Sequence, residues 1–552
     1  MVFNLLRKSG LVLAMTKRKF STHVADQAFV QMAPAIKLNR GEEQLQRLLL
    51  DTSSYINKSR STDEPVVIRW AGGWVRDKVL GMETNDIDVA INSMTGVDFA
   101  QHMHAYCSTQ EAIGAHSIKP DDVGNLHNVS RNPDKSKHLE TAMLRMFGLD
   151  LDLVNLRKER YAEDSRNPIV EFGTPEEDAL RRDATVNALF FNLHTNQIED
   201  FTGGLQDLKA KVLRTPLNPL QTFKDDPLRV LRLVRFASRL NFSIDADTSS
   251  VMADEQVLAA LRVKISRERV GTELEKMLKG DHPFLALKLI DDLGLYHSVF
   301  TDPTAECTVR PDLSRWHVAY SCLRDLQTTD CPGSIGRLLI PSDDSGYVAW
   351  NLAALSPWMV MASPPSGNRK SALPPASMAA REGLKAPNKL TDTITASHMH
   401  RKEIMELKRM ACGKEAMTGS RHVLGMAIRK WDSHGGFWTL QVLNALLVEA
   451  METMSIWPGA ARDAFIRGWQ RFLDQIVGMD LYDAPFLKRL LDGRSLAKAI
   501  GAQPGRWTGK ALDVCLEWQF RNPTEKDPSG AIAEVRRRWE ELGIPRDEDG
   551  ID

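Results

Sequence analysis

Two successive patterns of hydrophobic and polar positions divide this chain. From residue 62 to about residue 200, short apolar runs alternate with segments of helical periodicity. Beyond Leu205, long runs with apolar residues at helical spacing dominate, as over 227–240 and 265–278. Strands mixed with helices, followed by helices alone, indicate a small α/β head joined to a helical body. The sequence therefore predicts the α+β class, with a small mixed-sheet head followed by an all-helical neck, body and tail.

A glycine pair ends the first apolar run of the head. Residues 65–70 predict a buried strand, and Gly72 and Gly73 then allow a tight turn in which no Cβ obstructs a ligand. A helix-like run follows over 75–80. Such a junction directs main-chain N–H groups and the positive helix end toward a ligand, and Arg76 adds a guanidinium suited to phosphate oxygens. The sequence therefore predicts an anion site here.

Two carboxylates follow in the next apolar run. Asp86 and Asp88 lie within residues 85–91, and side chains two residues apart project from the same face of a strand. An isolated Asp-x-Asp is more often a solvated turn or cap. This one lies inside an apolar strand pattern close after the glycine turn, and a buried carboxylate needs a partner. Hard cations such as Mg²⁺ bind oxygen ligands and assist displacement at phosphorus, so the pattern predicts metal-assisted nucleotidyl transfer.

A second alternating strand carries two more aspartates. Over 149–154, Asp150 and Asp152 share one face while leucines occupy the other. One of these carboxylates is expected to complete a catalytic triad, and we favour Asp152. A solvated outer face of the sheet accounts for the same pattern equally well.

Residues 176–190 are predicted to form a helix with an acidic first turn. Asp183 and Asn187 are four residues apart and would share a face of this helix. They would offer hydrogen-bonding groups to a ribose, while Arg181 and Arg182 reach phosphates. A surface helix stabilised by salt bridges is the alternative.

A stripe of arginines marks the helix predicted over 227–240. Its members are three or four residues apart with no acidic residue between them: Arg229, Arg232, Arg235 and Arg239. Such a stripe requires an anionic ligand or a carboxylate partner. Asp226 and Arg229 offer an acceptor and a donor to the Watson–Crick edge of a base. Cytosine and adenine both present an amine beside an acceptor, so they match the carboxylate and the guanidinium. Guanine and uracil present these groups in the reverse order and would be rejected.

Composition narrows the class of protein. The chain has 552 residues, 43% of them hydrophobic and 26% charged, as expected of a globular protein with several domains. A formal net charge of −1 excludes binding driven by a global basic field, so any RNA surface must be local. The six cysteines lack Cys-x-x-Cys spacing, which disfavours a zinc site and a disulfide framework. No apolar run is long enough for a membrane span.

The first 25 residues resemble a mitochondrial presequence, because they carry five basic residues and no acidic one. Met15 offers a second start that would remove most of this segment. We therefore expect a mitochondrial protein, with a second product for the cytoplasm and nucleus that starts at Met15. A disordered basic tail is the alternative.

Five motifs together resemble those of the class II tRNA nucleotidyltransferases, or CCA-adding enzymes, and the related bacterial-type poly(A) polymerases. The resemblance extends from Trp70 to about Lys279. Residues 72–77 with 86–88 look like the family's metal-binding motif, and 181–187 look like its ribose-binding motif. Residues 200–208 are similar to its hinge motif, 225–229 to the motif that acts as a template for the incoming base, and 265–270 to the helix that braces the neck.

The resemblance implies a role for each matching residue. Asp86 and Asp88 would bind catalytic Mg²⁺, and Asp226 with Arg229 would select CTP or ATP. The other expected nucleotide-binding residues are Gly72, Gly73, Arg76, Asp77, Arg182, Asp183, Asn187, Arg232 and Arg235.

The same resemblance implies an activity. The chain is expected to add C, C and A to the 3′ end of tRNA without a nucleic-acid template, using CTP and ATP and releasing pyrophosphate. Its partner would be tRNA, bound at the 3′ end and the acceptor and TΨC region, with no membrane involved; the oligomeric state stays open. A poly(A) polymerase of the same family and a non-catalytic RNA-binding scaffold are the alternatives. The pair Asp86 and Asp88 disfavours the scaffold. Converged carboxylates repel each other, and a protein without catalytic activity would have no need to keep them together.

Motifs and composition also predict the domain boundaries. The expected regions are a presequence over 1–25, a nucleotidyltransferase head over 26–200, a neck with the template motif over 201–280, a body over 281–390 that ends in a Pro/Ser-rich segment, and a tRNA-binding tail over 391–552. The Pro/Ser-rich segment, residues 363–377, is expected to be an exposed loop or linker. Residues 111–137 fall where the family has a flexible loop needed for the change from C to A addition.

Overall fold

The structure, a computed structural model, divides into two compact units. It describes residues 35–59, 64–119, 141–160, 169–302, 310–329, 331–362, 373–413, 421–433 and 437–545. The first unit runs to Arg160 and includes Ile169–Leu180 and Val186–Leu208, and the second contains Arg181–Thr185 and the chain from Lys209 onward. The predicted presequence, residues 1–25, lies outside the described residues.

The first unit is a mixed sheet covered by helices. Its elements are α1 (Arg40–Ser59), β1 (Ile68–Ala71), α2 (Gly73–Val79), β2 (Asp86–Ile91), α3 (Gly96–Cys107), α4 (Gln110–His116), β3 (Ala142–Met146), β4 (Leu149–Asn155), β5 (Arg157–Arg160), β6 (Ile169–Phe172), α5 (Pro175–Leu180), β7 (Leu189–Asn192), β8 (Gln197–Asp200) and α6 (Gly204–Ala210). Six strands form one sheet in the order β3-β4-β2-β1-β7-β8. Strands β2 and β4 are parallel, and the other neighbours are antiparallel.

The prediction of a helix over 176–190 is confirmed only as far as Leu180 and is wrong beyond it. Helix α5 ends at Leu180, a single 3₁₀ turn covers Thr185–Asn187, and β7 follows. All four residues of β7 are buried, and the strand pairs with β1 on one side and β8 on the other. The apolar run that resembled the buried face of a helix is an interior strand, so tertiary pairing overrides the local helical pattern.

The second unit is helical apart from one short pair of strands, among the residues that the structure describes. Its elements are β9 (Val212–Leu213), α7 (Pro219–Asp225), α8 (Leu228–Leu240), β10 (Ser243–Ile244), α9 (Ala246–Met252), α10 (Glu255–Lys264), α11 (Arg267–Leu278), α12 (Pro283–Asp292), α13 (Tyr296–Val299), α14 (Trp316–Thr328), α15 (Ile335–Leu339), α16 (Asp343–Met359), α17 (Pro375–Met378), α18 (Asn388–Cys412), α19 (Arg421–Asp432), α20 (Trp438–Thr453), α21 (Arg462–Gly478), α22 (Gly493–Ile500), α23 (Trp507–Arg521), α24 (Ser529–Arg537) and α25 (Trp539–Leu542). The predicted α+β class is confirmed, with the parallel β9–β10 pair as an addition.

A buried arginine fastens the start of α11 within the second unit. The guanidinium of Arg267 donates to the main-chain oxygens of Gly383, at 2.6 Å, of Ser298, at 3.1 Å, and of Val299. Burial lowers the pKa of Arg267 to about 10, which still leaves the group charged at neutral pH. Carbonyl oxygens from two separate segments thus converge on one cation. One turn later, Gly271 lies so close to Leu384 that a Cβ at this position would overlap the carbonyl oxygen of Leu384.

Two expected loops are partly helical. Of residues 111–137, those up to His116 belong to α4, and residues 120–140 lie outside the described residues. Of the Pro/Ser-rich segment, residues 363–372 lie outside them as well, while Pro375–Met378 forms α17 with Ala376 and Ser377 buried. The expectation of an exposed loop is therefore wrong for its last residues. No helix in the described ranges has the length and apolarity that a bilayer crossing requires.

Candidate active site

The predicted strand, glycine turn and helix are all present in the first unit. Gly72 has φ 66° and ψ −120°, a conformation that favours glycine, and α2 begins at the next residue. The Gly72 N–H donates to the carbonyl oxygen of Leu189 in β7 at 2.9 Å. This hydrogen bond from the Gly72 N–H therefore connects the turn to the sheet.

Arg76 is held by two neighbours within the first unit. Its Nε donates to Oδ1 of Asp77 at 2.7 Å, and its Nη1 donates to Oδ1 of Asn187 at 2.5 Å. Arg76, Asp77 and Asn187 are all buried. The sequence predicted Arg76 and Asn187 as separate nucleotide contacts, whereas the structure joins them through a hydrogen bond that fixes the direction of the guanidinium.

The four aspartates form two rungs across parallel strands. Asp86 is the Cα partner of Asp150, and Asp88 is the partner of Asp152. Neighbouring strands lie about 4.8 Å apart, and partners project from the same face of the sheet. Asp86 and Asp150 are exposed, whereas Asp88 and Asp152 are half-buried. The inner rung of Asp88 and Asp152 is thus the more shielded one, and the outer carboxylate Asp150 lies 3.6 Å from Nε of Arg145.

The same register brings the inner rung to the glycine turn. On the other side of β2, Asp88 is the Cα partner of Ala71, and Gly72 comes directly after Ala71. The sequence predicted the carboxylate pair beside the turn. Antiparallel pairing of β1 with β2 makes them neighbours in space.

The donor set suits a hard divalent cation. Paired carboxylates on one face supply negative oxygen ligands, which Mg²⁺ prefers. Among the residues that the structure describes, no group of three or more His, Cys, Asp or Glu is arranged so that it could hold a metal ion. Mg²⁺ commonly completes its shell with water and substrate phosphates, so an incomplete protein shell fits it. Asp86 and Asp88 are the residues that would hold such an ion.

The arginine stripe of α8 finds carboxylate partners in the second unit. Nε of Arg232 lies 2.6 Å from Oδ2 of Asp183, and Nε of Arg235 lies 2.6 Å from Oε2 of Glu273. Both carboxylate residues are buried. The negative charge of Asp183 raises the pKa of Arg232 above its usual value. The sequence left open whether the stripe meets an anionic ligand or carboxylate partners, and the structure supplies carboxylate partners for two of its arginines. The sequence argument did not identify Glu273 as one of them.

Asp183 and Asn187 do not share a helical face. Asp183 belongs to the second unit and contacts Arg232, whereas Asn187 belongs to the first unit and contacts Arg76. The correction follows from the early end of α5, because the chain between them turns instead of continuing a helix. Arg182 directly precedes Asp183 in sequence and is half-buried.

The template pair lies at the junction of α7 and α8. Asp226 adopts an extended conformation at the end of α7, and its Oδ1 accepts from the N–H of Leu228 at 3.1 Å. Its Oδ2 accepts from Nη2 of Arg269 at 3.2 Å. Arg229 is buried on α8, only 9% exposed. Arg269 is a contact that the sequence argument missed, although it lies in the neck-bracing motif at 265–270.

Comparison with known proteins agrees with these motifs. Residues 68–214 match the model of the poly(A) polymerase head domain, and residues 241–307 match that of a probable RNA- and SrmB-binding site of polymerase A. The chain is 58% identical to nucleotidyltransferase lcsQ of Purpureocillium lilacinum over 98% of this chain and 100% of that protein. It is 37% identical to the mitochondrial CCA tRNA nucleotidyltransferase of Saccharomyces cerevisiae, over 90% of this chain and 93% of that protein.

The fold is also that of solved structures. A Thermotoga maritima CCA-adding enzyme complexed with tRNA superimposes with a TM-score of 0.57 at 18% identity, covering 91% of this chain and 96% of that one. Fold and head motifs together define a nucleotidyltransferase. The chain belongs to the tRNA nucleotidyltransferase and poly(A) polymerase family, as its full-length relatives show.

Proposed function

We propose that this chain adds C, C and A to the 3′ end of tRNA without a nucleic-acid template, using CTP and ATP and releasing pyrophosphate. The register that carries the proposal gives Asp88 two partners, Asp152 on one side and Ala71 of the glycine turn on the other. Metal-binding oxygens and a phosphate-binding turn are thus adjacent. Similarity along nearly the whole chain to a CCA tRNA nucleotidyltransferase supports CCA addition as the reaction.

The head residues divide the work of the reaction. Mg²⁺, when bound by Asp86 and Asp88, would neutralise charge on the attacking and leaving oxygens, and Asp152 would complete the catalytic carboxylates. Gly73 and Arg76 hold the triphosphate, while Asp77 and Asn187 keep the guanidinium of Arg76 in one orientation. The 3′-hydroxyl of the RNA attacks the α-phosphate in line, and the bond to the β-phosphate breaks to release pyrophosphate.

Residues of the second unit choose the nucleotide. Asp226 and Arg229 form hydrogen bonds with the Watson–Crick edge of cytosine or adenine. Arg269 holds the carboxylate of Asp226 in place. Arg182 and Asp183 serve the phosphates and ribose. Arg232 and Arg235 support the base and phosphates, and their ion pairs with buried carboxylates keep the helix in position.

The reaction is tested with purified protein and tRNA lacking its last three nucleotides. Labelled CTP alone should yield added C, and CTP with ATP should yield a single terminal A. A long A tract would instead favour a poly(A) polymerase, and absence of incorporation would favour a non-catalytic scaffold.

Localisation is part of the proposal. The basic, acid-free segment over 1–25 and the mitochondrial relative support import into mitochondria, with a second product starting at Met15 for the cytoplasm and nucleus. N-terminal sequencing of the protein from separated organelle and cytosol fractions tests this. A single uncleaved Met1 terminus in every fraction would contradict it.

Replacing Arg229 with alanine should reduce discrimination between nucleotides more strongly than it reduces the rate of incorporation. Loss of one base-edge contact corresponds to a fall in discrimination against UTP and GTP of about 10- to 100-fold. Kinetics of CTP and UTP incorporation on the same RNA measure this. Arg239→Ala, an exposed arginine at the other end of α8, is the matched control. Unaltered selectivity in Arg229→Ala would contradict the template assignment.

The two aspartates of β4 should differ in importance. Asp152→Asn is expected to lower kcat by about 10²-fold, because it removes a charge from the shielded rung beside Asp88. Asp150→Asn should change kcat by no more than about threefold, because an exposed carboxylate near a surface arginine is largely screened. Steady-state incorporation of C measures both. Equal losses would contradict the choice of Asp152 over Asp150 as the third catalytic carboxylate.

A further inference from the structure

Helix α1 contains a buried glutamate that touches the helix of the glycine turn. Glu42 is completely buried, and its carboxylate accepts three hydrogen bonds. Oε2 accepts from the main-chain N–H of Asn39 at 2.7 Å, and Oε1 accepts from Nε1 of Trp74 at 3.0 Å and from Nζ of Lys78 at 2.9 Å. Every partner is a donor, as a buried carboxylate requires.

The first half of this arrangement is local. The side chain of Asn39 accepts from the N–H of Glu42 at 3.0 Å, while the side chain of Glu42 accepts from the N–H of Asn39. These reciprocal bonds form a capping box, which fixes the start of α1 and the rotamer of Glu42. The carboxylate is therefore held in place before it meets α2.

The second half reaches the candidate active site. Trp74 and Lys78 are four residues apart on α2, so they lie on one face of that helix, and Glu42 binds both. Arg76 lies between them in sequence and faces another direction, toward Asp77 and Asn187. With only seven residues, α2 gains little stability from its own hydrogen bonds. Side-chain contacts therefore help to hold its orientation, with Glu42 bound to Trp74 and Lys78 on one face and Asn187 bound to Arg76 on another.

The ion pair is well shielded. The side chain of Lys78 is 6% exposed and that of Glu42 is 0% exposed. Burial by itself would lower the pKa of Lys78, but hydrogen bonds to Glu42 and Glu83 outweigh it and raise that pKa. Lys78 is thus charged at neutral pH, and its attraction to Glu42 is little screened by solvent.

We propose that Glu42 is a positioning residue for nucleotide addition, which acts by holding α2 so that Gly73 and Arg76 meet the triphosphate. This rests on the proposed function. Helix α1 precedes the matched head segment, which begins at residue 68, so a contact from outside that segment sets the geometry of the turn. Because the triphosphate is common to CTP and ATP, Glu42 affects both nucleotides equally and leaves base choice unchanged.

The test compares Glu42→Gln with Glu43→Gln in the full chain. Glutamine keeps the size and one acceptor oxygen of Glu42 but loses the charge that Lys78 requires, whereas Glu43 is exposed on the same helix. Glu42→Gln should lower kcat/KM for CTP and for ATP by about 10- to 100-fold, as a small displacement of a binding group does. KM for RNA and the ratio of C to U incorporation should stay as in the wild type, and Glu43→Gln should match the wild type throughout.

Hydrogen exchange supplies a readout that does not depend on turnover. Main-chain amides of α2 should exchange faster in Glu42→Gln, while those of β2 keep their protection. If Glu42→Gln folds poorly, Lys78→Met removes the ammonium group that pairs with Glu42, keeps most of the apolar stem, and should give a smaller change of the same kind. Unchanged exchange in α2, or full kcat/KM for both nucleotides in a folded variant, would overturn the proposal. If the wild type incorporates neither nucleotide, the proposed function fails, but faster exchange in α2 would still show that Glu42 positions this helix.

Discussion

Asp88→Asn is expected to abolish addition of both C and A, with kcat reduced by about 10³-fold or more. The substitution keeps the shape of the side chain and removes the negative charge from the inner rung, where Asp88 lies between Asp152 and the strand that leads into the glycine turn. Single-turnover incorporation measures the effect, with CTP on tRNA lacking CCA and with ATP on tRNA ending in CC.

The control for Asp88→Asn is Glu171→Gln, which removes an exposed carboxylate from another strand of the same unit. Its rates should stay within about twofold of the wild type, because an exposed ion pair such as Glu171 with Lys158 contributes little. A folded Asp88→Asn protein that retains more than about a tenth of the wild-type rate would contradict the metal assignment. Loss of A addition alone would contradict a single site for both nucleotides.

Arg267→Met is expected to produce the largest loss of stability. Methionine leaves three buried carbonyl oxygens without their common donor, and each such group costs about 1–3 kcal/mol. A total near 3–5 kcal/mol corresponds to a fall in melting temperature of about 5 °C for a unit of this size. Thermal unfolding followed by circular dichroism measures it.

The control for Arg267→Met is Arg381→Met, which removes an exposed arginine paired with Glu382 close to Gly383. Because exposed pairs contribute at most about 1 kcal/mol, its melting temperature should remain near that of the wild type. Equal shifts in the two variants would mean that Arg267 contributes no more than a surface arginine.

Local patterns sufficed for the parts of the site that the chain builds from consecutive residues. The strand, glycine turn and short helix around Gly72, and the alternating aspartates of β2 and β4, follow from two-residue and helical periodicity. Mixed strands and helices before residue 200 and long helical periods after it were likewise enough for the fold class.

What failed or was missed depends on pairing across the sequence. Residues 185–192 combine helical and strand preferences, and only the neighbours β1 and β8 decide for the strand. The partners of Arg232 and Arg235 are Asp183 and Glu273, which lie too far away in the sequence for any local periodicity to indicate the pairing. Glu42 left one sequence signal, the Asn39-x-x-Glu42 spacing of a capping box, but its contacts with α2 require the fold.

The capping box sets an upstream limit for tolerated truncation. Translation from Met1, Met15 or Met32 would retain Asn39 and Glu42, as would proteolytic trimming anywhere before residue 39. We therefore expect products with different N-terminal segments before residue 39 to share the same contacts between α1 and α2. Trimming only a few residues further, past position 42, should leave a protein that retains its sheet but is a poor catalyst.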